Sequence, residues 1–425
     1  MKSTRCRLIL PASLLLAALL SLSGCGPAIQ AEDLTKDVPA GTVTERSADD
    51  AFSARMADFA VRLFQESRTS SADGGTAEEN GLISPLSAML SLAMAANGAD
   101  GETLAQMETV LGGEIPLGTL NEYLHTYIQS LSSAEPAKLH LANSIWLRDD
   151  PELTVQETFL QTNADYYGAS VFRSPFDEQT VRDMNQWAKQ NTDGMIDAMI
   201  NEIEETEMVF LANALTFDAE WETVYDESSV REGAFTALDG TVQQAAMMWS
   251  TESKLLRGEN ASGFLKPYRG GKFLFAALLP DEGVGLEEYI GSMTGESFLE
   301  TVQNAEAVSV NAAIPKFQYG GEMKLDAPLR AMGLSDAFSG QTADFSQLGK
   351  YADMNLYISE ILHKTYLAVD ERGTRAGAVT RAAISGNSLP EHEICLNRPF
   401  VYAIVDGTTG LPVFLGAAAS LPDAG

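Results

Sequence analysis

Phe52, Met56, Phe59, Leu63 and Phe64 recur at the spacing of one helical face, so an amphipathic helix begins near Asp50. A looser stretch from Thr69 to Asn80 follows. Ser84-Pro85 then opens a second helix, with Ser84 as N-cap and Pro85 at the first helical position, and Gly98 lies where it should stop. Beyond these helices the patterning turns strand-like. Leu139, Leu141, Ile145 and Leu147 alternate, with Asn143 on their face. Val209 to Phe217 is almost continuously apolar, which predicts a strand covered on both faces. Phe400–Val405 and Pro412–Ala419 flank Asp406-Gly407-Thr408-Thr409-Gly410, a hairpin pattern. No internal repeat or long linker follows residue 80, so the elements form one α+β domain over residues 49–423.

The start of the chain follows other rules. Lys2, Arg5 and Arg7 precede a short apolar run, Leu8 to Leu22, which ends in Leu22-Ser23-Gly24-Cys25. The run is too short for an ordinary membrane-spanning helix and has the anatomy of a secretory signal. It resembles a bacterial lipoprotein signal. That resemblance implies removal of residues 1–24 and a diacylglyceryl anchor on Cys25, holding an exported protein to the outer side of the membrane. An ordinary secretory signal with a chance cysteine is the alternative. Residues 25–48 mix Ala, Pro, Gly, Thr and acids without hydrophobic periodicity and read as a tether.

Charge then narrows the partners. The 425-residue chain has a formal net charge of −31 and no stripe of Lys and Arg, which excludes nucleic acid and a polybasic grip on lipid. Cys6, Cys25 and Cys395 make neither a disulfide framework nor a metal site, and Cys395 reads as a small hydrophobe. There is no Gly-x-Ser-x-Gly elbow, no His-Glu-x-x-His pair and no phosphate loop. The four histidines, 125, 140, 363 and 392, are scattered, and the carboxylates Glu202, Glu204, Glu205 and Glu207 read as a solvated face. Nothing nominates a catalyst, a metal or a cofactor.

A series of short motifs points elsewhere. Asn80-Gly81-Leu82-Ile83-Ser84-Pro85-Leu86-Ser87 runs on to Gly98 and Gly101-Glu102-Thr103. Ala142-Asn143-Ser144-Ile145-Trp146, Asn185-Gln186-Trp187, Thr192 to Ile196, Phe210-Leu211-Ala212-Asn213 and Trp221 come next. Then come Met247-Met248, Leu279-Pro280, Ile314-Pro315-Lys316-Phe317, Met332-Gly333-Leu334 and Ala343-Asp344-Phe345-Ser346. His363-Lys364, Glu371-Arg372-Gly373-Thr374 and Asn397-Arg398-Pro399-Phe400 close the series. In this order they resemble the serpin family of protease inhibitors across nearly the whole chain.

The resemblance implies three β-sheets with about nine helices and an exposed reactive-centre loop. An endopeptidase cuts that loop as substrate, and the loop enters the central sheet while still acylated. The partner is then a serine, or alternatively cysteine, endopeptidase held as a covalent complex by a monomer. By motif position, Ser84, Ser87, Asn213 and His363 resemble the polar cluster where the central sheet parts. Trp221, Lys316 and Glu371 resemble the group at the loop's entry, with a Lys316–Glu371 ion pair. Glu371, Gly373, Thr374, Arg375, Ala376, Gly377 and Ala378 fall on the loop hinge, and loop length places the cut between Asn387 and Ser388, with a bond one or two residues away as the alternative.

The loop can also be tested without the family. As a strand, Thr374, Ala376, Ala378, Thr380, Ala382 and Ile384 would face one way, all small or apolar. Arg375, Gly377, Val379, Arg381, Ala383 and Ser385 would face the other, which reads as the solvent side. No proline interrupts the run before Pro390. Asn387 suits neither a trypsin-like nor a chymotrypsin-like pocket, which leaves an asparaginyl cysteine protease or a tolerant elastase- or subtilisin-like enzyme. Arg375 stands where the family usually carries Glu, and Gly377 stands in a run normally richer in Ala. A non-inhibitory serpin, binding partners or cleaved as a plain substrate, is the alternative function, and an enzyme with an unrecognised site is a further one.

Overall fold

The computed structural model describes residues 28–69, 80–132, 136–204, 207–352, 354–374 and 392–422. The proposed anchor Cys25, the hinge from Arg375 to Ala378 and the bond Asn387–Ser388 lie outside the described residues.

Among the described residues there are nine α-helices. They are α1 (Asp50–Thr69), α2 (Pro85–Ala96), α3 (Gly101–Leu111), α4 (Leu117–Ser132) and α5 (Glu157–Tyr167). The others are α6 (Glu178–Asn191), α7 (Leu286–Ser292), α8 (Gly295–Gln303) and α9 (Asp326–Ala331). The central sheet runs, edge to edge, β1 (Glu32–Asp33), β5 (Ser170–Ser174), β3 (Lys138–Arg148) and β6 (Val209–Glu220). It continues through β16 (Gly373–Thr374), β15 (Glu360–Val369) and β13 (Phe317–Lys324). A second sheet is ordered β2 (Gly81–Ile83), β19 (Pro412–Ala418), β18 (Phe400–Asp406), β11 (Phe273–Pro280), β10 (Ala261–Pro267) and β9 (Leu255–Gly258). A third is ordered β17 (His392–Cys395), β12 (Val310–Pro315), β8 (Val242–Glu252) and β7 (Val230–Thr236). A short ladder pairs β14 (Gly349–Tyr351) with β4 (Leu153–Val155).

Helix α2 explains how the sheets stack. Every one of its residues is buried, and it packs on β6 and β3 of the central sheet and on β19 of the second. A helix that is apolar nearly all round belongs between two layers. Ser84 caps it by accepting from the Ser87 N–H, with Pro85 in the first turn, where a missing N–H costs nothing. The main core fills this side. Strand β6 is buried on its other face as well, where Phe210, Ala212 and Ala214 meet Met184 and Trp187 of α6. Here Trp146 stacks on Phe172 at 4.3 Å.

The segment read as a tether behaves differently from Ala28 onward. Glu32–Asp33 pairs antiparallel with β5, and Asp183 on α6 accepts the N–H groups of Gln30 and Ala31 at 2.9 and 2.7 Å. Farther along, Asp165 accepts from Gly41, and Arg46 reaches Glu122 at 2.9 Å. The segment covers an edge strand whose main-chain groups would otherwise be bare. Main-chain contacts of this kind leave no hydrophobic period in the sequence.

Candidate functional site

The junction between β6 and β15 holds two clusters of interest. The two strands pair in parallel from Phe210/Glu360 to Thr216/Tyr366, with Asn213 directly beside His363. Above that point they separate. Gly373 and Thr374 enter the gap, pairing with Glu220 and Ala219 of β6, while Thr374 also pairs with Val369 of β15. The central sheet is thus closed along its middle and occupied at its mouth.

The closed part is held from behind by α2. Asn213 shares its two Nδ2 protons among the Ser87 carbonyl at 2.5 Å, Ser91 Oγ at 2.9 Å and Asn143 Oδ1 at 2.8 Å. Its own Oδ1 accepts from Ser87 Oγ. On the neighbouring strand, His363 Nε2 accepts the Ser84 N–H at 2.9 Å, and Ser84 Oγ donates to the Val413 carbonyl. The ring must therefore carry its proton on Nδ1, which has no partner among the described residues. Burial pushes the His363 pKa down to about 4, so the imidazole is neutral in the closed sheet. Ser84, Ser87, Asn213 and His363 come together as one network. Ser91 and Asn143 belong to it too, and were not singled out from sequence for this role. The face of Asn143 was legible, but its facing partner Asn213 emerges only from the register of β3 on β6.

The mouth is built around Trp221. Its main-chain N–H donates to the Arg372 carbonyl at 2.8 Å and its indole N–H to the Asp370 carbonyl at 2.9 Å. The N–H of Tyr225 donates to the carbonyl between them, that of Glu371, at 2.9 Å. Lys316 and Glu371 form an ion pair beside this turn. Burial alone would raise the Glu371 carboxyl, but Lys316 and main-chain donors outweigh it and hold its pKa below the ordinary value. Gly373 fits only as glycine, because a Cβ there would sit 2.0 Å from the Ala219 carbonyl oxygen. Thr374 is fully buried, and its hydroxyl meets that of Tyr268 at 2.6 Å. Tyr268, like Tyr225, was not anticipated from sequence.

No group of three or more His, Cys, Asp or Glu side chains among the described residues could hold a metal. Cys395 lies half-buried on β17, and burial and Glu393 raise its thiol pKa, against reactivity as a thiolate. Strands β6 and β15 are thus joined through a buried polar network along their middle and hold Gly373 and Thr374 between them at one end.

The family model described as "Serpin (serine protease inhibitor)" matches residues 54–421. The chain belongs to the serpin family. Serpin-Z7 of Hordeum vulgare is 30% identical over 86% of this chain and 96% of its own. Antithrombin-III of Homo sapiens is 27% identical, over 85% of this chain and 80% of its own. Among solved structures, the thermophilic serpin tengpin in the native state is 46% identical, covers 92% of this chain and all of its own, and superposes with a TM-score of 0.87. Tengpin in the latent state superposes with a TM-score of 0.78. Serpins are generally protease inhibitors that act by a suicide mechanism and are not catalysts, and those that inhibit form covalent complexes with their targets.

Proposed function

We propose that this serpin traps an endopeptidase of the serine class, or alternatively the cysteine class, that cuts its loop between Asn387 and Ser388. The observation that carries this reading is the mouth: Gly373 and Thr374 already sit between β6 and β15, while the strands below them are still paired. Extending that register puts Ala376 opposite Phe217, Ala378 opposite Leu215, Thr380 opposite Asn213, Ala382 opposite Leu211 and Ile384 opposite Val209. These β6 residues all face the main core or α2. The small, apolar set of the loop would therefore enter the core, with Thr380 arriving between Asn213 and His363.

Entry replaces one ladder, β6 on β15, with two. The net gain of about ten main-chain hydrogen bonds, at roughly 0.5–1.5 kcal/mol each, is on the order of 10 kcal/mol. The closed form is then held by the barrier to opening, not by being lowest in free energy.

On the same footing, the chain is exported and anchored at the outer side of a bacterial membrane through lipid on Cys25. Incorporation of labelled fatty acid that vanishes in Cys25→Ala would support the anchor; equal labelling of the variant would exclude it. For inhibition, the test is incubation with a panel of serine and cysteine proteases. A denaturant-stable band at the summed mass, with a released peptide beginning at Ser388, is the expected result. Cleavage by every enzyme without a stable complex would favour a non-inhibitory serpin.

A further inference from the structure

Behind the mouth lies a buried ion pair that the closing network does not use. Lys266 Nζ, on β10 of the second sheet, meets Glu252 Oε1, on β8 of the third, at 2.8 Å, with side chains only 2% and 7% exposed. The ammonium lies 5.4 Å from the ring centroid of Trp221 and 4.4 Å from that of Tyr225. Ser250 Oγ donates to the same carboxylate oxygen at 2.6 Å and lies 3.2 Å from the Tyr225 hydroxyl. Tyr268 stacks on Trp221 at 4.4 Å and holds the Thr374 hydroxyl.

One cation therefore touches the two residues whose N–H groups hold the consecutive carbonyls of Asp370, Glu371 and Arg372. Through the Trp221–Tyr268 stack it also backs the first seated loop residue. Lys266 stands where three sheets converge: the second supplies the ammonium, the third the carboxylate, and the end of β6 in the central sheet the aromatic face. A buried pair of this kind adds little net stability over apolar residues of the same size.

We propose that Lys266 and Glu252 are positioning residues for loop insertion. They brace Trp221 and Tyr225 so that Gly373 and Thr374 stay seated between β6 and β15. The seat is the nucleus from which the remaining strand adds downward, and a braced nucleus shortens the race between insertion and release of the cut loop. This inference rests on the loop-insertion reading above.

The test uses the full-length chain with Lys266→Met and with the double change Lys266→Met/Glu252→Met. The single variant strands a buried carboxylate and loses thermal stability. The double variant removes both charges together, and its native form melts no lower than the wild type. The informative readout is the number of inhibitor molecules consumed per protease trapped. The expected result is a several-fold rise in the double variant despite its undiminished melting temperature. A pair with a purely structural role would move the melting temperature and leave that ratio alone. An unchanged ratio overturns the proposal, as does a double variant that fails to fold. A wild type that traps no protease is a separate result, and it refutes the insertion reading itself.

Discussion

Acid should loosen the closed sheet through one residue, His363. Its Nε2 is the acceptor for the Ser84 N–H at the start of α2, so protonation turns an acceptor into a second donor facing that N–H. Burial holds the pKa at about 4, against an ordinary value near 6.5 in an opened or unfolded chain. A base with a depressed pKa leaves the unfolded state binding more protons between those two values. Its contribution is complete above pH 6.5 and is lost as pH falls toward 4. At 1.36 kcal/mol per unit, the closed form loses about 2 kcal/mol between pH 7 and pH 5, and about 3 kcal/mol by pH 3. The assay is the urea midpoint, followed by tryptophan fluorescence at pH 7 and pH 5, for the wild type and His363→Gln. The glutamine carbonyl keeps an acceptor near Nε2 but does not titrate, and every other ionisable group is common to both proteins. The wild type should lose about 2 kcal/mol more than the variant over that interval. Equal losses would refute the reasoning.

Asn213→Ala removes both amide protons and one acceptor between β6 and its neighbours, and a loss of about 3 kcal/mol, near 1 kcal/mol for each bond, should appear in the urea midpoint. Asp183→Asn weakens the charged acceptor that holds Gln30 and Ala31. Limited proteolysis should then cut within residues 28–40 sooner, at a cost of about 1–3 kcal/mol in stability. Gly373→Ala forces a Cβ onto the Ala219 carbonyl, so the seat is lost and protease cleavage without trapping should dominate on denaturing gels. Arg381→Val should lower the inhibitor consumed per protease trapped, because the extended register places residue 381 between Ala212 and Leu362, both inside the second core. An unchanged ratio would mean that the loop follows another register.

The elements most legible in the sequence were those fixed by local chemistry. The α1 face, the Ser84-Pro85 start of α2 and the hairpin between β18 and β19 each need only a period or a turn motif, and each is present. What stayed illegible depends on distant chain segments. Lys266 and Glu252 lie on strands of different sheets, and a charged residue in a strand gives no sign that it is buried. The docked segment from Ala28 is held by main-chain groups and by Asp183, which the sequence presents as one more charged position on a helix of mixed charge. The polar network is legible only in part, because Asn143 joins it through strand register and Ser91 through the packing of α2 on β6.

The two faces of β6 bear most directly on the loop. Alternation in residues 374–385 separates a small set from one holding both arginines, and the second set was read as facing solvent. Extending the Thr374–Ala219 register down β6 carries that parity through, and the faces of β6 change the environment it would meet. Residues 209 to 219 of odd number face the main core or α2, and those of even number from 210 to 214 face a second core under α6. The two arginines would therefore meet different surroundings on insertion. Arg375 would lie opposite Asp218, partly exposed near the mouth, where it would meet an opposite charge. Arg381 would arrive opposite Ala212, where burial of a guanidinium is costly unless its head reaches water past α6. On the proposed register, a residue that sequence alternation alone marks as harmless would thus meet a buried surface midway through insertion, after Gly373 and Thr374 are already seated.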